Sequence, residues 1–404
     1  MKQHLQHLGV IAIITAMAAS LALGSGFQLN EHGARAMALG GAFTARASDL
    51  SALYFNPAGL AYMKGGHATL GTTLIMPRSS FYGPTQLNTN TETKMVNQLF
   101  TPINVGVSYE LADGLVAAIG VNNPYGLGTE WPEDWAGKFI STKIDLMTFF
   151  ISPTIAYQVT EDLSVGVGLN YVIGNVDINR VVSDPFDPHA KVKISASDDG
   201  MGFNVGAMYK FSPAFSIGAA YRSEVKIEAT GTAEFTPNRS IYPGGDMSAA
   251  LTLPANAFVG IAVTPMEDLT LSADYQFVGW SSYKELKIEF KKDNSTSVSP
   301  KDYEDSYVIR LGAEYTMNDL QLRAGYLYDK SPVKDKYVEP LLPDASRNGF
   351  NVGFGYKLSE NISVDFGYFF LKMDQRKAIG TEVNFDGTYN QYAHLIGFNL
   401  NYTF

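Results

Sequence analysis

The chain has 404 residues and no cysteine, which removes disulfides and thiolate metal sites from any account of how it is held together. After the first two dozen residues no apolar run approaches the ~20 residues that a membrane-spanning helix needs. Charged residues are scarce at 17%, and the net charge of −10 argues against a nucleic-acid partner. Beyond residue 24 only four histidines occur, His32, His67, His189 and His394, with no paired spacing. Neither G-x-S-x-G nor H-E-x-x-H is present, so neither an enzyme nor a resident metal or cofactor is expected. Asp184, Asp187, Asp198 and Asp199 read as solvated loop carboxylates in preference to a cation site.

What is abundant is glycine (38), tyrosine (23) and phenylalanine (24), arranged with a period of two. In the last stretch Ile396, Phe398, Leu400, Tyr402 and Phe404 share one face, and Gly397, Asn399, Asn401 and Thr403 the other. An apolar outside and a small or polar inside suit a strand between lipid and a wet lumen. Fourteen such stretches are read, at 66–77, 101–111, 115–124, 143–158, 162–180, 200–211, 214–232, 248–264, 269–291, 302–317, 319–330, 346–358, 361–377 and 392–404. The turns after the even-numbered stretches are tight, as at Ala112-Asp113-Gly114 and Ser359-Glu360. The connections after the odd ones are mostly long, as at 78–100, 125–142, 181–199 and 331–345. Short turns on one side and long loops on the other predict a 14-stranded antiparallel transmembrane β-barrel in a Gram-negative outer membrane, with both termini periplasmic. A soluble β-sandwich would need a second sheet to cover so many outward aromatics.

Met1 to Gly24 has a basic start at Lys2, an apolar core from Leu8 to Ala19 and small residues at Ala22 and Gly24. That is a secretory signal peptide by pattern, with a mature chain expected from Ser25; the apolar core is short for a membrane anchor. Residues 25–65 do not alternate. Small helical pieces are expected near Ala34 to Leu39 and Ser48 to Phe55, the second capped by Ser48 and ended before Pro57. Fourteen strands leave room in the lumen. The apolar content of this segment (Phe43, Leu50, Leu53, Tyr54, Phe55, Leu60, Tyr62) therefore predicts a hatch at 25–65 plugging a barrel at 66–404.

Gly26-Phe27-Gln28-Leu29-Asn30-Glu31 and Asn56-Pro57-Ala58 carry a family resemblance. So do Asn123-Pro124-Tyr125-Gly126-Leu127 with Thr129-Glu130, Tyr221 to Ile227, Leu253-Pro254-Ala255, Trp280-Ser281-Ser282, Ile309 to Gly312, and Pro343-Asp344 with Arg347. Together, in this order along almost the whole mature chain, they resemble the FadL family of outer-membrane transporters for long-chain fatty acids and other hydrophobic compounds. The resemblance implies a hatch, an interior ligand site and a lateral opening where the third strand bends inward. Asn123, Pro124, Tyr125 and Gly126 supply the means for such a bend, because Pro124 cannot donate to a ladder and glycine tolerates unusual dihedrals. The competing reading is that Pro124 simply ends the strand. Ser25, Gly26, Phe27, Asn56, Pro57 and Ala58 would form the hatch and gate, with Asn56 hydrogen-bonding backbone groups freed at the bend; a plain Asn-Pro turn is its bland alternative.

Apolar side chains crowd the long loops, among them Phe81, Tyr82, Leu87, Leu99, Phe100, Trp131, Trp135, Phe139 and Ile140. Trp131, Trp135 and Phe139 either line a greasy capture groove or pack the loops on one another, and the sequence leaves both readings open. On strand 7 parity points Arg222, Glu224, Lys226 and Glu228 inward and Val225 and Ile227 to lipid. The resemblance implies Arg180 and Lys287 as partners for a ligand carboxylate. Arg180 faces inward by parity, whereas Lys287 matches the lipid face unless a bulge at 280–282 flips it. The expected activity is passive transport of hydrophobic molecules, foremost long-chain fatty acids. Capture in the loops, interior binding, hatch movement and sideways exit at strand 3 would follow one another. Alternatives are a channel for aromatic hydrocarbons, an open diffusion porin, or an adhesin acting through its loops. A monomer embedded in outer-membrane lipid and lipopolysaccharide is expected.

Overall fold

A computed structural model describes residues 26–404; the expected leader and Ser25 lie outside the described residues. Fourteen wall strands close into one antiparallel barrel. The first half comprises β1 Gly66–Tyr82, β2 Ile103–Ala112, β3 Leu115–Asn122 continued by Gly126–Glu130, β4 Lys143–Ile151 with Thr154–Gln158, β5 Leu163–Val181, β6 Lys191–Ser212 and β7 Phe215–Arg222 with Val225–Thr236. The second half comprises β8 Gly245–Leu253 with Asn256–Met266, β9 Leu269–Val278 with Glu285–Phe290, β10 Thr296–Pro300 with Ser306–Met317, β11 Leu320–Asp329, β12 Arg347–Lys357, β13 Ile362–Met373 and β14 Gly387–Thr403. β1 pairs with β14 from His67↔Thr403 to Tyr82↔Thr388, so the sheet has no free edge and its backbone groups bond strand to strand. No helix of the described residues is long and apolar enough to cross a membrane.

Several strands outrun the sequence reading. β6 begins at Lys191, not 200, and is 22 residues long, against the ~9–11 that cross a hydrocarbon layer. Its upper half stands above the membrane, where a polar strand still pairs with β5 and β7. β7 brings a correction. Phe215, Ile217 and Tyr221 face out and Arg222 in, as alternation requires, but Val225 and Ile227 are buried while Glu224, Lys226 and Glu228 are exposed. A break in the ladder at Ser223, which exchanges hydrogen bonds with the Phe203 backbone, shifts the parity by one and turns every later side chain over.

Residues 26–63 fill the lower lumen around two short helices, α1 Ala34–Ala38 and α2 Ala52–Phe55, and a 3-10 turn Pro57–Tyr62. α2 starts at Ala52, and Ser48 does not cap it; the Ser48 hydroxyl accepts from Arg35 at 3.0 Å instead. Apolar hatch residues such as Phe43, Leu53, Phe55 and Leu60 are buried against Val116 and Phe258 of the wall. Wall polar groups meet hatch backbone groups directly. Asp274 accepts from the Phe43 and Thr44 amides at 2.9 and 2.8 Å, Asn351 donates to the Met37 carbonyl at 2.7 Å, and Arg222 donates to the Tyr54 carbonyl at 3.0 Å. Glycine permits the contact to be this close: a Cβ on Gly166 would lie 2.5 Å from the Pro57 carbonyl carbon, and one on Gly218 2.2 Å from the Thr44 oxygen. Between wall and hatch near the periplasmic face, Glu314 gathers Arg35, Arg46 and Arg323, and Arg323 also holds Asp365.

Candidate functional site

The wall changes character at β3. Its ladder with β2 runs from Leu115 to Asn122, opposite Ala112 to Asn104, and stops there. After Asn123, Pro124 and Tyr125 the strand resumes at Gly126–Glu130, pairing only with β4. In this second piece the in-out alternation is lost and Gly126 to Thr129 are all buried, so it has turned inward from the wall. Pro124 therefore does not end the strand. Substitutes satisfy the backbone that the bend strips of its ladder. Asn123 accepts from the Ile103 amide at 2.8 Å and donates to the Thr148 carbonyl at 2.7 Å, while the Thr148 hydroxyl donates to the Tyr125 carbonyl at 2.7 Å.

The hatch supplies the rest. Leu29 N–H donates to the Pro124 carbonyl at 2.8 Å and Gly126 N–H to the Phe27 carbonyl at 2.7 Å, an antiparallel bridge centred on Gln28 and Tyr125. The expectation for Asn56 fails here. Asn56 does not reach the bend: it donates to the Thr44 and Ala207 carbonyls and accepts from the Ala58 amide, with Pro57 and Ala58 beside it against β5 and β6. It holds the hatch to the wall, whereas the extended backbone of Phe27 to Leu29 covers the bend.

Above this bridge lies a narrow, partly enclosed apolar cavity. Leu127, Ile144, Leu146, Val176, Ile194, Ile227, Met247, Leu251, Ile288 and Leu342 line it, and Phe27 from the hatch forms part of its boundary. Phe27 packs edge-on against Trp280 at 4.7 Å, Tyr283 at 5.5 Å and Tyr125 at 6.1 Å. One side chain thus touches both the cavity and the bend. The single charged pair on the lining, among the described residues, is Lys301 with Glu339, the two side chains 5% and 10% exposed. Both also line a second, more open space, where Phe139, Ile140, Phe290 and Arg180 join them. Shared lining at Ile178, Ile194, Leu286 and Ile288 sets the outer space directly beside the inner one.

Arg180 faces inward as parity requires, and no hydrogen bond or ion pair engages its guanidinium among the described residues. Lys287 does not reach the cavity. The 3-10 turn at Trp280–Ser282 leaves parity unchanged, so Leu286 and Ile288 point in while Lys287 points out and pairs with Glu289 at 2.7 Å. Trp131 and Trp135 are buried and stacked at 4.4 Å, with their indole N–H groups on the Pro340 and Ser141 carbonyls. They hold the loops together and line neither space. Phe139 is half exposed and faces the outer one.

Lys301 and Glu339 escape the sequence reading because Lys301 lies just before an alternating stretch and Glu339 in the middle of the 331–345 connection, where parity says nothing. The Pro343-Asp344 pair left a clearer trace. Asp344 accepts from the Gly26 amide and the Ser331 hydroxyl, and burial pushes its carboxyl up to about 6 against the influence of Arg347. Burial likewise pushes Glu31, at the start of the hatch, up to about 7. Gly26 and Phe27 are therefore held from above by a loop carboxylate and from the side by the bend.

The profile of one protein family, described as outer membrane protein transport protein (OMPP1/FadL/TodX), matches residues 15–404. Outer membrane protein P1 of Haemophilus influenzae is 27% identical over 465 aligned positions, covering 100% of each chain. The long-chain fatty acid transport protein of Escherichia coli K12 is 24% identical over 439 positions, covering 98% of each. Among solved structures, a Pseudomonas aeruginosa FadL homologue superposes with a TM-score of 0.83 at 17% identity, covering 94% of this chain and 100% of that one. The Pseudomonas putida toluene transporter TodX superposes with 0.75 at 17% identity, covering 93% and 99%.

Proposed function

The chain belongs to the OMPP1/FadL/TodX family of outer membrane transport proteins, and from that membership we propose that it carries long-chain fatty acids passively from the cell surface, sideways through its wall at β3. Outer-membrane location and transport of hydrophobic compounds come with the family; cargo, route and mechanism are this reading. The observation that carries it is the position of Phe27, which borders the apolar cavity on one side and the strand break on the other. A fatty acid would enter the outer space past Phe139 and Ile140, leave its carboxylate near Arg180 and Lys301, and bury its chain in the inner cavity, each methylene contributing ~0.8 kcal/mol. Displacement of Gly26 to Leu29 would then uncover the bend, and the cargo would pass between β2 and the inturned part of β3. Below the cavity the hatch is fixed by buried polar contacts, so a straight exit to the periplasm would break many more interactions than the sideways one.

We infer no catalysis, resident metal or cofactor, and a monomer suffices for each step. One observation favours an uncharged cargo instead: Lys301 is already neutralised by Glu339, so the inner cavity alone presents no net charge. Competition of palmitate, hexadecane and toluene against a bound fluorescent fatty acid on the purified protein separates the two. The fatty-acid reading expects palmitate to displace the probe at far lower concentration than hexadecane, and equal potency would refute it.

A further inference from the structure

The outward face of β13, β14 and β1 carries a second feature, unrelated to the lumen. Along β14 the outward residues Tyr402, Leu400, Phe398, Ile396, His394 and Tyr392 begin and end on tyrosine ten positions apart. At ~3.3 Å per residue and a tilt of ~40°, ten positions rise roughly 25 Å, the height of the apolar band of such barrels. Register extends both boundaries to the neighbours: Tyr402 lies opposite Ala68 and Ile362, and Tyr392 opposite Arg78 and Lys372. Between those rows the outward positions are Leu70, Thr72, Leu74 and Met76 on β1, and Val364, Phe366, Tyr368 and Phe370 on β13. No charge occurs until the Tyr392 row, where Lys372, Tyr392 and Arg78 stand side by side on three adjacent strands. Four positions higher on β14, Lys377 lies opposite Thr388 on the same face.

None of Arg78, Lys372 and Lys377 is in an ion pair among the described residues; the Arg78 guanidinium reaches only the neighbouring Pro77 carbonyl, at 2.8 Å. No nearby carboxylate is paired with them among the described residues. Glu92 accepts from the Tyr82 hydroxyl at 2.9 Å and lies 3.7 Å from Lys94, and Asp374, two positions beyond Lys372 in the connection above β13, is exposed. Level with the cations and just below them, Tyr392, Phe370 and His394 form a continuous aromatic cluster, with ring centroids 5.2 to 6.4 Å apart. Unpaired cations at the outer interface, over an aromatic shelf and an acyl-width apolar face, match a ligand with anionic head groups and several fatty chains.

We propose that this face is a specific site for the phosphorylated, multiply acylated glycolipid of the outer leaflet. Arg78, Lys372 and Lys377 hold its phosphates, and Tyr392, Phe370 and Leu74 support its chains. The site rests on the outer-membrane placement and is independent of the cargo.

The test measures binding of purified bis-phosphorylated lipid A in detergent to the full-length barrel by native mass spectrometry, with dephosphorylated lipid A and inorganic phosphate as parallel probes. Interfacial attraction corresponds to roughly fivefold per cation, so the triple variant Arg78→Gln, Lys372→Gln, Lys377→Gln should bind on the order of a hundredfold more weakly. Uptake of hydrophobic ligand should be unchanged, which separates failure of this site from failure of the transport reading. On the unmodified protein, dephosphorylated lipid A should bind at least tenfold more weakly than the phosphorylated form, and inorganic phosphate should not compete at equal concentration. Equal binding of the two lipid forms, full competition by phosphate alone, or undiminished binding by a folded triple variant would each overturn the proposal.

Discussion

Replacing Glu339 with glutamine distinguishes the possible cargoes by a signed change in affinity. The Glu339 carboxylate neutralises Lys301 where both side chains are almost entirely withdrawn from water. Breaking such a pair costs ~3–5 kcal/mol when nothing replaces the lost partner. Glutamine keeps a neutral acceptor, and a hydrogen bond to a charged group is worth ~1.5–3 kcal/mol, so the net destabilisation around Lys301 is roughly 1.5–2 kcal/mol. A fatty-acid carboxylate arriving beside Lys301 restores the missing charge and recovers that amount. At ~1.4 kcal/mol per tenfold, palmitate should bind about 10- to 30-fold more tightly to Glu339→Gln than to the parent chain. Hexadecane and toluene bring no charge and should gain nothing. Calorimetric titration of the purified protein in a non-ionic detergent reads both quantities. Unchanged palmitate affinity, or an equal gain for hexadecane, would refute the placement of the head group at Lys301.

Other expectations follow from the same geometry. Pro124→Val allows β3 to regain a ladder donor where Asn123 now substitutes, and should lower uptake of a hydrophobic ligand while the barrel folds normally, as read by vesicle uptake and heat-dependent gel mobility. Gly166→Val places methyl groups where the Pro57 backbone now lies and should dislodge the hatch at a cost of ~1–3 kcal/mol; small sugars should then enter liposomes faster through the variant. Glu31 and Asp344 have carboxyls raised above their ordinary values, to about 7 and about 6, so seating the start of the hatch favours their protonated forms. That stabilisation is complete below about 4, the range of an ordinary carboxyl, and is lost as pH rises through 6 to 7. Hydrogen exchange at residues 26–31, corrected for intrinsic rates, should therefore be slower at pH 5 than at pH 8.

The barrel was legible because its physics is local and repeated. A period of two, tight turns on one side and long loops on the other locate Ile396 to Phe404 or Leu163 to Tyr171 on the correct faces without knowledge of any partner strand. Legibility ended where a single residue interrupts the period. Ser223 carries no mark that it shifts the parity of β7, so Val225 and Ile227 were placed in lipid though they face the lumen. Trp280 to Ser282 look equally disruptive and leave parity intact, which put Lys287 outside. Trp131 and Trp135 illustrate another limit, since an exposed groove and a buried loop core have the same composition. The bend itself was visible in Asn123 to Gly126, but its partner was not: the hatch covers it with the backbone of Phe27 to Leu29, and backbone contacts leave little trace in residue type. Lys301 and Glu339 meet across 38 positions of sequence and announce themselves only in three dimensions.

The central claim, that cargo leaves only when the hatch releases the bend in β3, can be tested with one engineered cross-link. Gln28 and Tyr125 face each other as a non-hydrogen-bonded antiparallel pair, since the bonds flank them at Leu29–Pro124 and Gly126–Phe27. Cα atoms of such pairs stand ~4.5 Å apart, within disulfide reach, and the chain has no other cysteine to interfere. Fatty-acid uptake into vesicles carrying Gln28→Cys, Tyr125→Cys should be blocked when the pair is oxidised and return when the same sample is reduced. Equal uptake by the oxidised and reduced forms, with the cross-link verified, would contradict the account.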